Sequence, residues 1–130
     1  MKRVLIADDD QALVRALAIR CAALGVAAEP SPDGLHAVQH IERFPPDLVI
    51  LDVNMPADGI GVCERLRRDG RWRALPVIVI TGRADAALAA RCRALGAACV
   101  VKGPRLWSEL EPLLRQRLGL ASGVAGAPGA

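Results

Sequence analysis

Six residues in this chain are of the types that phosphate chemistry uses: Asp8, Asp9, Asp10, Asp52, Thr81 and Lys102. They fall directly after four short apolar runs, VLIA, LVIL, VIVI and CVV. In an open parallel sheet the carboxyl ends of the strands line one edge, where α/β proteins build their sites. If the four runs are strands, one crevice receives several carboxylates, a hydroxyl and an ammonium. Clustered carboxylates repel each other unless a hard cation neutralises them, and Mg²⁺ suits an oxygen-only donor set. A lysine and a threonine opposite that cation make sense if a phosphoryl group arrives between them. The pattern points to phosphate handling.

The elements that must position these residues are legible in outline. Strands are predicted at about 2–7, 26–29, 47–51, 75–80 and 97–101, alternating with helices at about 11–24, 33–43, 59–69, 84–95 and 106–118. Regular alternation of this kind predicts a parallel sheet covered on both faces. Gly25 and Gly96 follow Ala-rich helices and suit the left-handed residue that ends them. Pro45-Pro46 stops the second helix before DLVIL, and Ser31 is predicted to cap that helix with Pro32 at its first position. Asp58-Gly59 marks a turn into the third helix. The Gly/Pro-rich end, ASGVAGAPGA, offers no core residues and predicts a disordered tail over 119–130 after a single domain at 1–118.

Composition narrows the class. With 130 residues, 52% hydrophobic and 24% charged, the chain suits one globular core, and no apolar run approaches a membrane span. The opening MKRVLIADDD meets acids too soon to be a secretory signal. Net charge is +3, too small to argue for nucleic acid. Cys21, Cys63, Cys92 and Cys99 lack CxxC spacing and lie in apolar or helical stretches, so they are expected as buried free thiols in a reducing cytoplasm.

Together, VLIADDD, PDLVILDVNMP with its following DG, LPVIVITGRAD, and ALGA followed by VVK resemble the receiver domain of two-component response regulators. The resemblance covers residues 1 to about 118. It implies a doubly wound, flavodoxin-like α/β sandwich of three layers with strand order 2-1-3-4-5. It implies that Asp52 accepts a phosphoryl group from a sensor histidine kinase or histidine phosphotransfer protein, and that the domain then switches its surface towards a downstream effector protein. Carried over residue by residue, Asp9 and Asp52 would hold Mg²⁺, Asp8 would help through water, and Asn54 would offer its backbone carbonyl. Thr81 would hydrogen-bond the phosphoryl group and Lys102 would pair with it. Such a domain is a cytoplasmic signalling module, limited to Mg²⁺-dependent self-phosphorylation, with no direct nucleic-acid or membrane partner. Asp10 fits helix capping and stays outside the site.

Three departures from the family pattern stand out. The loop between Met55-Pro56 and Asp58-Gly59 holds only Ala57, one residue fewer than usual. Gly103 separates Lys102 from Pro104, so an ungapped match puts Gly103 in the lysine's place and a one-residue shift restores Lys102; a cis Gly103–Pro104 bond would follow the family's habit. No aromatic residue stands near the end of the fifth strand, where Cys99 and Val100 are the candidates, so the aromatic rotamer change of the relatives is not expected. These departures motivate an alternative, a degenerate receiver that acts as a phosphorylation-independent interaction module. An aspartate-nucleophile phosphohydrolase is a further rival, disfavoured because its nucleophile belongs on the first strand.

Other motifs have blander readings. His36 and His40, four apart on a helix, lack a third ligand and are expected as exposed surface histidines. The five arginines of RLRRDGRWR (65–73) fit a solvated helix end, where basic residues complement the dipole. Trp107 is expected to pack against the last helix.

Overall fold

The computed structural model describes residues 1–55 and 58–121. Five strands and five helices alternate: β1 (Arg3–Ala7), α1 (Gln11–Ala23), β2 (Ala27–Ser31), α2 (Gly34–Arg43), β3 (Leu48–Asp52), α3 (Gly59–Arg68), β4 (Val77–Thr81), α4 (Ala86–Ala94), β5 (Ala98–Val101) and α5 (Leu106–Leu118). The strands form one parallel sheet in the order β2-β1-β3-β4-β5, as the resemblance implied.

Period-two side chains explain why both faces are covered. Leu5, Val49, Leu51, Val77 and Val79 join one core layer with Ala37, Ile41, Ile60, Cys63, Leu66 and Cys92 of α2, α3 and α4. Val4, Ile6, Leu48, Ile50, Ile78, Ile80 and Val100 face the other way, onto Leu17 and Cys21 of α1 and a stripe on α5, Leu106, Leu110, Leu114 and Leu118. β3 and β4 are buried along their whole length. Strands buried on both faces read as continuous apolar runs, which is what LVIL and VIVI are.

Four helices start at an aspartate whose carboxylate accepts a first-turn N–H: Asp10 from Leu13, Asp33 from His36, Asp58 from Ile60, and Asp85 from Ala87 and Leu88. A short acidic side chain at this position satisfies orphan donors and meets the positive helix end. Asp33, not Ser31, therefore caps α2. Ser31 instead ends β2, and its hydroxyl donates to the Asp33 carbonyl at 3.1 Å. β2 runs two residues past the predicted 29 because it is an edge strand, where Pro30 needs no ladder donor.

Further expectations need correcting. The Gly103–Pro104 bond is trans. Arg67 is not solvated: Nε donates to Leu95 O at 2.7 Å, and Nη1 donates to Leu75 O at 2.7 Å and Trp72 O at 3.2 Å. This clamp holds the segment before β4 in a turn, so β4 opens at Val77 rather than 75. His40 is half-buried, with Nε2 3.5 Å from Glu29 Oε1, whereas His36 is exposed beside Asp33. Gly119 ends α5 in a left-handed conformation, Leu120 packs against the α5 core layer, and Arg115 Nη1 donates to Ala121 O at 2.7 Å. Of the tail predicted at 119–130, these three residues are thus held to the fold, and 122–130 lie outside the described residues. No helix among the described residues is long and apolar enough to cross a membrane.

Candidate functional site

β1, β3, β4 and β5 all point their carboxyl ends at one edge, and that edge carries Asp8, Asp9, Asp52, Thr81 and Lys102. Asp52 is the last residue of β3, flanked by β1 and β4, and is only 2% exposed. Its Oδ1 accepts the Asn54 N–H at 3.2 Å, which turns the chain immediately after the strand. Asp8 follows β1, equally buried, and its Oδ1 accepts the Asp10 N–H at 2.8 Å. Asp9 is exposed. One carboxylate oxygen from each of Asp8, Asp9 and Asp52 lies within 4.8 Å of the others.

Lys102 enters this group from β5. Its backbone N–H donates to Thr81 O at 2.7 Å, extending the ladder in which Thr81 pairs with Val101. The lysine so keeps the strand's phase, and the extra residue is absorbed next door at Gly103, whose φ of +152° few other residues adopt. The ammonium stands 3.0 Å from Asp8 Oδ2 and 3.2 Å from Asp52 Oδ2. Burial pushes its pKa down, but the Asp8 and Asp52 carboxylates outweigh that and hold it above the usual lysine value.

Thr81 is buried at the end of β4, yet its hydroxyl turns to the neighbouring backbone. It donates to Arg83 O at 3.2 Å and accepts the Arg83 N–H at 3.4 Å. Asn54 is exposed in the turn after Asp52. Sequence patterning did not reveal the Thr81–Arg83 contact, because a backbone partner leaves no mark on residue type. Nor did it reveal that Lys102 pairs with Asp8 as closely as with Asp52.

The donor set fits a hard divalent cation. Three carboxylates converge without a nitrogen or sulfur ligand, and Asp8 Oδ2 is a buried oxygen with no hydrogen-bond partner. The Lys102 ammonium, 3.0 Å away, is its charge partner. One ammonium against three grouped carboxylates leaves mutual repulsion that a further cation would relieve.

The second half of β5 departs from an aromatic-bearing strand. Cys99 is half-buried and packs against the α2–α3–α4 layer, while Val100 is buried in the opposite one.

Comparison with known proteins gives a consistent picture. The family model for the response regulator receiver domain matches residues 4–111. The probable transcriptional regulator ycf27 of Galdieria sulphuraria is 35% identical over 115 residues, covering 88% of this chain and 44% of that protein. The DNA-binding dual master transcriptional regulator RpaA of Synechocystis sp. is 38% identical over 82 residues, or 62% of this chain and 34% of that protein. The chain thus spans less than half the length of these curated relatives. Among solved structures, a putative response regulator from Chloroflexus aurantiacus superposes with a TM-score of 0.81 at 27% identity, covering 91% of this chain and 98% of that one. The signal receiver domain of a histidine kinase from Syntrophus aciditrophicus gives 0.82 at 27% identity, over 100% and 97% of the two chains. Sheet order, helix placement and these matches agree: this chain belongs to the receiver domains of the two-component response regulators, a family of signal-transduction modules.

Proposed function

We propose that Asp52 accepts a phosphoryl group from a phosphohistidine on a sensor histidine kinase or phosphotransfer protein, and that the modified domain presents an altered surface to a downstream effector protein. One observation carries this reading. The Asp52 carboxylate lies at the carboxyl end of a central strand, 3.2 Å from the Lys102 ammonium and grouped with Asp8 and Asp9. A carboxylate attacks phosphorus in line when positive charge screens the approach of two anions. An Asp52 oxygen forms the new O–P bond, the P–N bond of the donor breaks, and its electron pair returns to the imidazole ring.

Lys102 binds a phosphoryl oxygen, and Thr81 donates a hydrogen bond to another after releasing the Arg83 carbonyl. Asp8, Asp9 and Asp52, with the Asn54 carbonyl, would hold Mg²⁺, which when bound supplies the charge neutralisation that lets an anionic donor approach. The domain promotes its own phosphorylation in this limited sense and does no further turnover. This reading places it in the cytoplasm, with protein partners rather than nucleic acid or membrane as its immediate contacts. Because Cys99 offers no ring, output comes from backbone movement of the loops after Thr81 and Lys102.

Incubation with acetyl phosphate and Mg²⁺, followed by intact mass, tests the assignment. Wild type is expected to gain one phosphoryl group, and Asp52→Asn to gain none while keeping its fold. Equal labelling of Asp52→Asn would show that the acceptor lies elsewhere. An unlabelled wild type would leave the interaction-module reading, and steady release of phosphate from a generic ester would favour a hydrolase.

A further inference from the structure

Gly59 opens α3, and it lies against the strand end that carries Asp52. The six residues 53–58 bring the chain from β3 into α3. A methyl group built at Gly59 would overlap the Asp52 carbonyl oxygen, and would stand 3.0 Å from the Asp52 carbonyl carbon and 3.2 Å from Leu51 Cβ. The obstacle is backbone, not the end of a flexible side chain. Nor is a left-handed dihedral involved, as it is at Gly25, Gly96, Gly103 and Gly119. Space alone excludes a side chain. Gly61, two residues on in the same helix, has nothing within 4 Å of the same construction.

α3 has little freedom to withdraw. Asp58 ties down its first turn through the Ile60 N–H, and Ile60, Val62, Cys63 and Leu66 are buried along its inner face. The strand end is held only one residue further, where the Val53 N–H donates to Ile80 O at 3.1 Å, and the chain then turns away from the sheet. A crowded Gly59 would therefore displace Asp52, whose carboxylate contacts at 3.2 Å to Lys102 and to the Asn54 N–H tolerate only a few tenths of an ångström.

The geometry points to Gly59 as a positioning residue for the phosphoryl acceptor: having no side chain, it lets the first turn of α3 bear on the Asp52 peptide and fix the carboxylate's direction. This rests on Asp52 as acceptor, and the two ideas fail differently. Misplacing a nucleophile by up to an ångström costs on the order of a hundredfold in rate.

The experiment compares Gly59→Ala with Gly61→Ala, a chemically identical change in the same helix, and with Leu66→Ala, which destabilises the far end of α3. Each is labelled with acetyl phosphate at saturating Mg²⁺, in the cold and with trimethylamine N-oxide to favour the compact state. The folded fraction is checked by circular dichroism. Metal-free protein gives a second readout, the Lys102 ε-carbon shift in an NMR spectrum, which reports its ion pairs without any chemistry. We expect Gly59→Ala to label at least tenfold more slowly per folded molecule and to move the Lys102 signal. Gly61→Ala and Leu66→Ala should stay within twofold of wild type with that signal unmoved. A Gly59→Ala rate or Lys102 signal matching these controls would overturn the inference, as would failure of Gly59→Ala to fold under these conditions, since the methyl would then act on the whole fold. An unlabelled wild type would instead sink the acceptor assignment, and the inference with it.

Discussion

Lys102 settles most of the electrostatics of the site. It stands at ion-pair distance from two carboxylates that are almost fully buried, and its side chain is itself only 25% exposed. Removing one partner of such a group leaves uncompensated buried charge, which costs about 3 kcal/mol or more. Lys102→Ala is thus expected to lose about 2–3 kcal/mol in urea unfolding without metal, after allowance for water at the crevice mouth. Millimolar Mg²⁺ should recover much of that loss by mass action. A Lys102→Ala curve equal to wild type in metal-free buffer would contradict this. The sign with pH follows from the raised lysine value: the pairing is complete below the ordinary 10.5 and fades only as pH rises through the higher folded value. At this scale the acids and the lysine were legible because their strands end where they stand. The turn of the Thr81 hydroxyl towards Arg83 was not, because a hydroxyl's choice between two acceptors is made by local backbone geometry.

Arg67 shows what an element needs beyond its own sequence. Its guanidinium gathers carbonyls from the end of α4 and from the turn before β4, groups that neither element satisfies alone. Arg67→Ala should cost about 2–4 kcal/mol, since hydrogen bonds to a charged donor contribute about 1.5–3 kcal/mol each and several carbonyls lose their partner. Arg67→Lys should not rescue it, because an ammonium lacks the planar fork that spans separate acceptors. The neighbouring, exposed Arg68→Ala should change stability by less than about 0.5 kcal/mol. Urea midpoints for the three variants decide the matter. RLRRDGRWR gave no hint of the difference, because Arg67 differs from its neighbours only in facing Leu95, 28 residues away. The α2 cap was misassigned for a related reason: Ser31 and Asp33 are both good caps, and the continuation of β2 through Pro30 decides between them.

The whole molecule divides its thiols unevenly between its layers. Cys21 is buried under α1, Cys63 and Cys92 lie in the opposite layer, and Cys99 alone is partly open. Burial, with neighbouring Cys99, pushes the Cys92 thiol up to about 12, and burial raises Cys21 to about 11. A thiolate is the reactive form. Native protein treated with iodoacetamide near neutral pH is therefore expected to carry one label, at Cys99, and the unfolded chain four. Peptide mapping that finds Cys92 labelled first would contradict the packing of α4 on β5. A parallel sheet covered on both faces was readable from the alternation of five apolar runs with helical spacers, whereas the strand order 2-1-3-4-5 came from the family resemblance.

Seen as a question of electroneutrality, the crevice is unfinished. Three carboxylates against one ammonium leave it two charges negative, a deficit that one divalent ion closes and one monovalent ion does not. Phosphorylation replaces the single negative charge of the Asp52 carboxylate with the nearly two of an acyl phosphate, about one more in all, and so reopens the deficit. The nearest mobile positive charge is the Lys102 ammonium, which would have to be shared three ways or drawn off Asp8. Phosphorylation would then act by reallocating a buried cation between β1 and β5, a switch that moves charge through the sheet edge and needs no ring to swing.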